Sequence, residues 1–159
     1  MRNVYGGKTT NGDATGNIVN VKGNGGTVTN IYGGRSEQGS ATGNTVNLGD
    51  GSAAFTTGIT GTIYGGGGTN GAKNYVTDNK LNVYGNVNAA NISNFAEINF
   101  HFNSHVNQSN SFLTLSDAGG TMINSLSDLK INGEHGRKGT LLKNTGGTIT
   151  ISDGNNRLV

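Results

Sequence analysis

Of the 159 residues, 84 are Gly, Asn, Thr or Ser, whereas Val, Ile, Leu and Phe together number 34. That apolar share lies near the level below which chains stay disordered, but only 13% of residues are charged and Pro is absent, so the composition points to an all-β chain of short strands and many turns. A net charge of +2 without a basic cluster argues against nucleic acid and acidic membranes as partners, and the lack of Cys excludes disulfides and thiolate metal sites.

Low hydrophobicity also discriminates among all-β folds. A sandwich or barrel of this size wants a larger core, whereas a solenoid needs only a thin inward row per coil, because each coil stacks on the next. No apolar run approaches the roughly 18 residues of a membrane helix, so direct membrane insertion is not expected. Met1-Arg2 runs straight into Asn3-Val4-Tyr5 with no signal-peptide core, as expected for part of a longer chain.

In chain order, Val4-Tyr5-Gly6-Gly7 returns as Ile31-Tyr32-Gly33-Gly34 and as Ile63-Tyr64-Gly65-Gly66, with a fainter copy at Val83-Tyr84-Gly85. Between them, Ala14-Thr15-Gly16-Asn17-Ile18-Val19-Asn20-Val21 returns as Ala41-Thr42-Gly43-Asn44-Thr45-Val46-Asn47-Leu48, and more loosely as Asn79-Lys80-Leu81-Asn82-Val83. Two motifs sharing one 27-residue offset define a repeat with two or three short strands per copy, about one coil of a parallel β-helix. Identical residues would then stack at roughly 4.8 Å, with Tyr5, Tyr32 and Tyr64 forming an aromatic ladder and Asn17, Asn44 and Asn79 an amide ladder at a corner. The Gly pair after each Tyr is predicted to supply positive φ for a sharp corner, and Gly65-Gly66-Gly67-Gly68 a flexible one.

Near residue 90 the texture changes, dividing repeat coils over 1–90 from a Phe-rich, better-packed part over 91–159 that would cap the same solenoid. Asn91 to Phe102 alternates over its length and predicts one long half-buried strand. Further strands are predicted over 112–115, 129–131, 140–143 and 148–151, with a short helical turn at Met122 to Leu129.

These motifs, followed by Ile92-Ser93-Asn94-Phe95-Ala96-Glu97-Ile98-Asn99-Phe100, Leu113-Thr114-Leu115 and Gly139-Thr140-Leu141-Leu142-Lys143-Asn144, resemble the C-terminal passenger regions of bacterial autotransporter (type V secreted) surface proteins. The resemblance covers nearly the whole chain. It implies a right-handed, single-stranded parallel β-helix displayed on the outer membrane, with adhesion, aggregation or a scaffold role.

Candidate chemistry is sparse. His101 and His105 share a strand face with Asn103, but along one extended strand they would lie about 13 Å apart, too far for a single ion unless Asn103-Ser104 turns. His135 reads as a solvated loop residue. The nine carboxylates are dispersed from Asp13 to Asp153 with no acid in register with another, where a β-helical glycosidase or lyase needs two or three on one groove. Asp50-Gly51 and Asp153-Gly154 read as turns. The glycine quartet lacks the Lys-Ser/Thr and helix of a phosphate loop, and no Gly-x-Ser-x-Gly elbow or Gly-Asp calcium repeat is present.

The residues therefore predict no catalytic group, metal or cofactor. Tyr5, Tyr32, Tyr64, Asn17, Asn44 and Asn79 are the candidate ligand-facing or stacking positions, and host glycans, extracellular-matrix proteins or identical chains are the candidate partners. A carbohydrate-active β-helix, such as a polysaccharide lyase or depolymerase, is the enzymatic alternative. A folding nucleus for secretion, seated in the Phe-rich half, is the third.

Overall fold

The computed structural model describes residues 2–123, 129–133 and 140–151. Every strand ladder in it is parallel, and each coil contributes three short strands to three faces of a β-solenoid of about five turns. The first coil holds β1 (Val4–Thr9), β2 (Ile18–Val21) and β3 (Thr27–Val28), and the second β4 (Ile31–Ser36), β5 (Thr45–Leu48) and β6 (Gly58–Ile59). The third holds β7 (Thr62–Gly67), β8 (Lys80–Val83) and β9 (Val87–Ala89), and the fourth β10 (Asn91–Ser93), β11 (Glu97–His101) and β12 (Leu113–Leu115). The fifth holds β13 (Thr121–Ile123), β14 (Leu129–Asn132) and β15 (Leu142–Asn144), after which β16 (Ile149–Ile151) stacks on β13.

The first face is the sheet β1-β4-β7-β10, the second β2-β5-β8-β11-β14. The first face breaks after β10, with β13-β16 a separate pair, and the third is interrupted, with β3-β6 separate from β9-β12-β15. Alternation within each strand sends one side chain of two inward, and those inward positions carry the core. Ile31, Ile63 and Ile92 fill the first face, Val46, Leu81 and Ile98 the second, and Ile59, Val87 and Leu113 the third, none more than 5% exposed. Burying one such side chain stabilises by about 1.5–3 kcal/mol, so a chain poor in apolar residues still holds a continuous core. The pairing runs unbroken through position 90, since β10 pairs with β7 and β11 with β8. Phe112 sets its ring edge-on to Phe100 and Phe102, at 5.6 and 4.7 Å between centroids. Ile131, the register partner of buried Phe100, is 61% exposed because no described strand stacks beyond it.

Several expectations are corrected. The Tyr-Gly-Gly glycines lie inside β1, β4 and β7, without positive φ. They are glycine because a side chain would collide: a Cβ on Gly34 would sit 2.5 Å from Ala14 O and 2.7 Å from Asn44 Nδ2. Gly65 to Gly67 likewise belong to β7 rather than to a flexible corner. At this corner, left-handed residues stand one step before the inner asparagines, at Gly16 (φ 67°), Gly43 (φ 65°) and Asp78 (φ 57°). The alternating segment from Asn91 is two strands, because Asn94 (φ 63°) turns the chain and donates through Nδ2 to Gly66 O at 2.8 Å. Tyr84 follows β8 on the second face and so does not extend the tyrosine column. Met122 and Ile123 are strand rather than helix, while residues 124–128 fall outside the described part.

Candidate functional site

The repeat offset becomes vertical register: Tyr5 pairs with Tyr32 and Tyr32 with Tyr64. Their rings stack at 5.0 and 4.6 Å with interplanar angles of 11° and 4°. Ser93 occupies the fourth rung and ends the column. Lys8 and Arg35 lie over the Tyr5 and Tyr32 rings at 5.4 and 5.3 Å. Stacking from both sides leaves Tyr32 only 7% exposed, and burial, with the neighbouring Tyr64 next, pushes its hydroxyl pKa above the usual value. The column is therefore a packed spine that presents ring edges and two cations, not a set of open ring faces.

Asn17, Asn44 and Asn79 also stack, but toward the interior. Asn44 Oδ1 accepts from Asn17 N and Nδ2, both at 2.9 Å, while Asn44 Nδ2 donates to Ala14 O at 3.0 Å and to Asn79 Oδ1 at 3.2 Å. Asn79 Nδ2 continues to Ala41 O and Tyr75 O. Asn44 and Asn79 are fully buried, so they brace a corner and meet no ligand. The next rung is Ala96, whose N donates to Asn79 O, and there the ladder stops.

A second asparagine ladder runs on the outside of the second face. Asn47 Nδ2 donates to Asn20 Oδ1 and Asn82 Nδ2 to Asn47 Oδ1, both at 2.7 Å, and Asn99 Nδ2 donates to Asn82 Oδ1 at 2.9 Å. Its sequence signal is an apolar-Asn-apolar triplet repeated at Val19, Val46, Leu81 and Ile98. At its end Glu97 accepts from Lys130 at 2.7 Å, and this bond, then that from Asn99, holds its carboxyl below the ordinary range. His101 stacks on Tyr84 at 4.2 Å, and burial lowers its imidazole pKa. The chain does turn after His101, with His105 N donating to Asn103 Oδ1 at 2.9 Å. Among the described residues, however, no group of three His, Asp or Glu could hold a metal. His135, Asp128, Glu134 and Asp153 lie outside the described residues. Asp50-Gly51 is a turn, with Gly51 at φ 81° and Ser52 N donating to Asp50 Oδ1.

The corner where the second face passes to the third changes length from coil to coil. The third coil crosses there in three residues, 84–86, whereas its neighbours use residues 49–57 and 102–112. Two long corners thus overhang a short one, and a notch opens over the third coil. Asn86 pins one lip: its Nδ2 donates to Asn107 O and Ser111 O at 3.0 Å, and its Oδ1 accepts from Asn107 N at 2.7 Å. Phe55 forms the other lip, packed over Gly23 and Gly85, where a Cβ would fall 2.3 and 2.9 Å from Phe55 atoms. The notch comprises two adjoining concavities that share Asn86 and Asn88. One of about 320 Å³ reaches Ser111, Thr114 and Lys143, and one of about 290 Å³ reaches Phe55 and Thr60. Nothing in single-strand periodicity marks these residues, because the notch arises from unequal corner lengths in successive coils.

Comparison with known proteins finds no matching family model, no matching curated relative and no matching solved structure.

Proposed function

We propose that the chain is a non-enzymatic, surface-displayed segment of an autotransporter-like passenger, acting outside the cell as an adhesive or structural rod. The observation that supports this reading is the register itself: outward columns of Asn and Tyr repeat along one axis, while among the described residues carboxylates do not gather. Glu97 is engaged by Lys130, and Asp117 caps its own turn by accepting from Gly119 N. Repeated polar columns suit many weak contacts whose avidity grows with their number, whereas hydrolysis of a polymer needs two acids across one bond.

Binding of the purified protein to a glycan and extracellular-matrix array, with light scattering on the same sample, tests this reading. Specific binding or reversible self-association is expected. A monodisperse monomer that binds nothing removes the adhesive function and leaves a spacer. Release of reducing or unsaturated ends from a polysaccharide would overturn the non-enzymatic reading altogether.

A further inference from the structure

We infer that the notch over the third coil is a saccharide-binding cleft whose ligand is an extended, acidic oligosaccharide. The inference rests on the adhesive reading above and assigns it a place on the molecule.

Three features select this ligand. The first is chemical: the floor and one wall offer the Asn88 amide, the Ser109, Ser111 and Thr114 hydroxyls and the Lys143 ammonium, and Phe55 lines the far end. Among the described residues none of those five polar side chains has an internal hydrogen-bond partner, so the groups are free to meet a ligand. Amides and hydroxyls flanking one aromatic ring match a polyhydroxylated ring with one apolar C–H face. Lys143, at the opposite end from Phe55, adds a point charge for a carboxylate or sulfate on the sugar.

The second feature is shape. Asn88, Thr114 and Lys143 are register partners on β9, β12 and β15, so at a strand spacing of about 4.8 Å the polar floor extends roughly 9.6 Å along the axis, which suits an extended chain of sugar rings. The Asn86 bonds to residues 107 and 111 hold the lip in place before any ligand arrives, which reduces the ordering cost of binding.

The third feature disfavours a peptide. A strand-like ligand would need a run of free main-chain groups, but β9 already pairs with β12 and the facing strand β6 has only two residues. The gap between β6 and β9 also closes at one end, where Ala90 N donates to Gly61 O at 2.9 Å. No Asp or Glu lines either concavity, so the cleft holds a saccharide without cutting it.

The test uses the whole chain on an array of neutral oligosaccharides, uronic-acid and sulfated oligosaccharides, and extended peptides. Asn88→Trp, at an exposed position on the floor, fills the cleft, and Ser109→Trp, on the exposed rim, does so from the opposite wall. At least a tenfold loss of acidic-glycan binding is expected in both, with an unchanged thermal midpoint. Lys143→Gln is expected to reduce acidic-glycan binding and to spare neutral glycans. Wild-type binding that survives both Trp variants would overturn the cleft and leave the adhesive reading standing. Binding of peptides in place of saccharides would overturn the ligand class, and an unchanged acidic preference in Lys143→Gln would overturn the role of the ammonium. No binding to any probe would overturn the cleft and leave the adhesive reading to matrix binding or self-association.

Discussion

Asn44→Ala is the perturbation that most directly probes how the coils are joined. The Asn44 side chain is fully buried and makes four contacts: it accepts twice from Asn17, and donates to Ala14 O and Asn79 Oδ1. Asn79 Oδ1 keeps its bond from the Asn44 backbone N at 2.8 Å, so it is not orphaned by the change. Ala14 O and the two Asn17 donors are. A buried group left unsatisfied costs about 1–3 kcal/mol, and half-buried Asn17 recovers part of that from water, which sets the expected loss at about 3–5 kcal/mol. Asn20→Ala on the outer ladder is the control, since Asn20 is exposed and Asn47 Nδ2, once released, meets solvent. Its expected cost is within about 0.5 kcal/mol. Urea titration followed by circular dichroism reads both, as a fall in midpoint at constant slope. If Asn44→Ala loses less than about 1 kcal/mol, or no more than Asn20→Ala, the inner ladder is not what braces the corner and the reasoning fails.

Gly34→Ala places a Cβ against Ala14 O and Asn44 Nδ2, neither of which can retreat without breaking the ladder, so a loss of about 3 kcal/mol or more is expected in the same titration. Tyr32→Ala removes two ring contacts and a buried side chain, for about 3–5 kcal/mol, whereas Tyr32→Phe keeps the stack and is expected to cost under about 1.5 kcal/mol; equal losses would show that stacking does not matter. The Glu97 carboxyl titrates below its ordinary value because Lys130, then Asn99, bond the charged form. Its stabilisation is thus present above the unfolded-state pKa of about 4.3 and fades as pH falls through the lower folded value. For a partly exposed pair this amounts to about 1 kcal/mol at most, and Glu97→Gln is expected to flatten that acid limb of a melting-against-pH profile.

Much of the architecture is legible in the residues because a solenoid turns sequence period into vertical neighbours. The 27-residue offset that relates Val4 to Ile31 and Asn17 to Asn44 is the strand register found, and the tyrosine column follows from it. Other features were legible and are easily passed over, such as the apolar-Asn-apolar triplets that form the outer ladder. The glycine pairs mislead for a physical reason: glycine serves both left-handed turns and close approach, and only the position of the Asn44 side chain against Gly34 decides which. The run from Asn91 to Phe102 misleads because alternation continues across a corner when Asn94 itself can adopt a left-handed backbone.

Composition and repeat thus determine by themselves an all-β solenoid, its rung spacing and the identity of its stacked columns, since those depend on local strand preference and on like residues recurring at one interval. Which asparagine column is buried, why the third face is interrupted and where a cleft opens are decided only by the assembled coils. These depend on corner lengths in three successive turns, 49–57, 84–86 and 102–112, and on which side chains those corners bring into contact. Such contacts join residues far apart in sequence, so no local pattern records them.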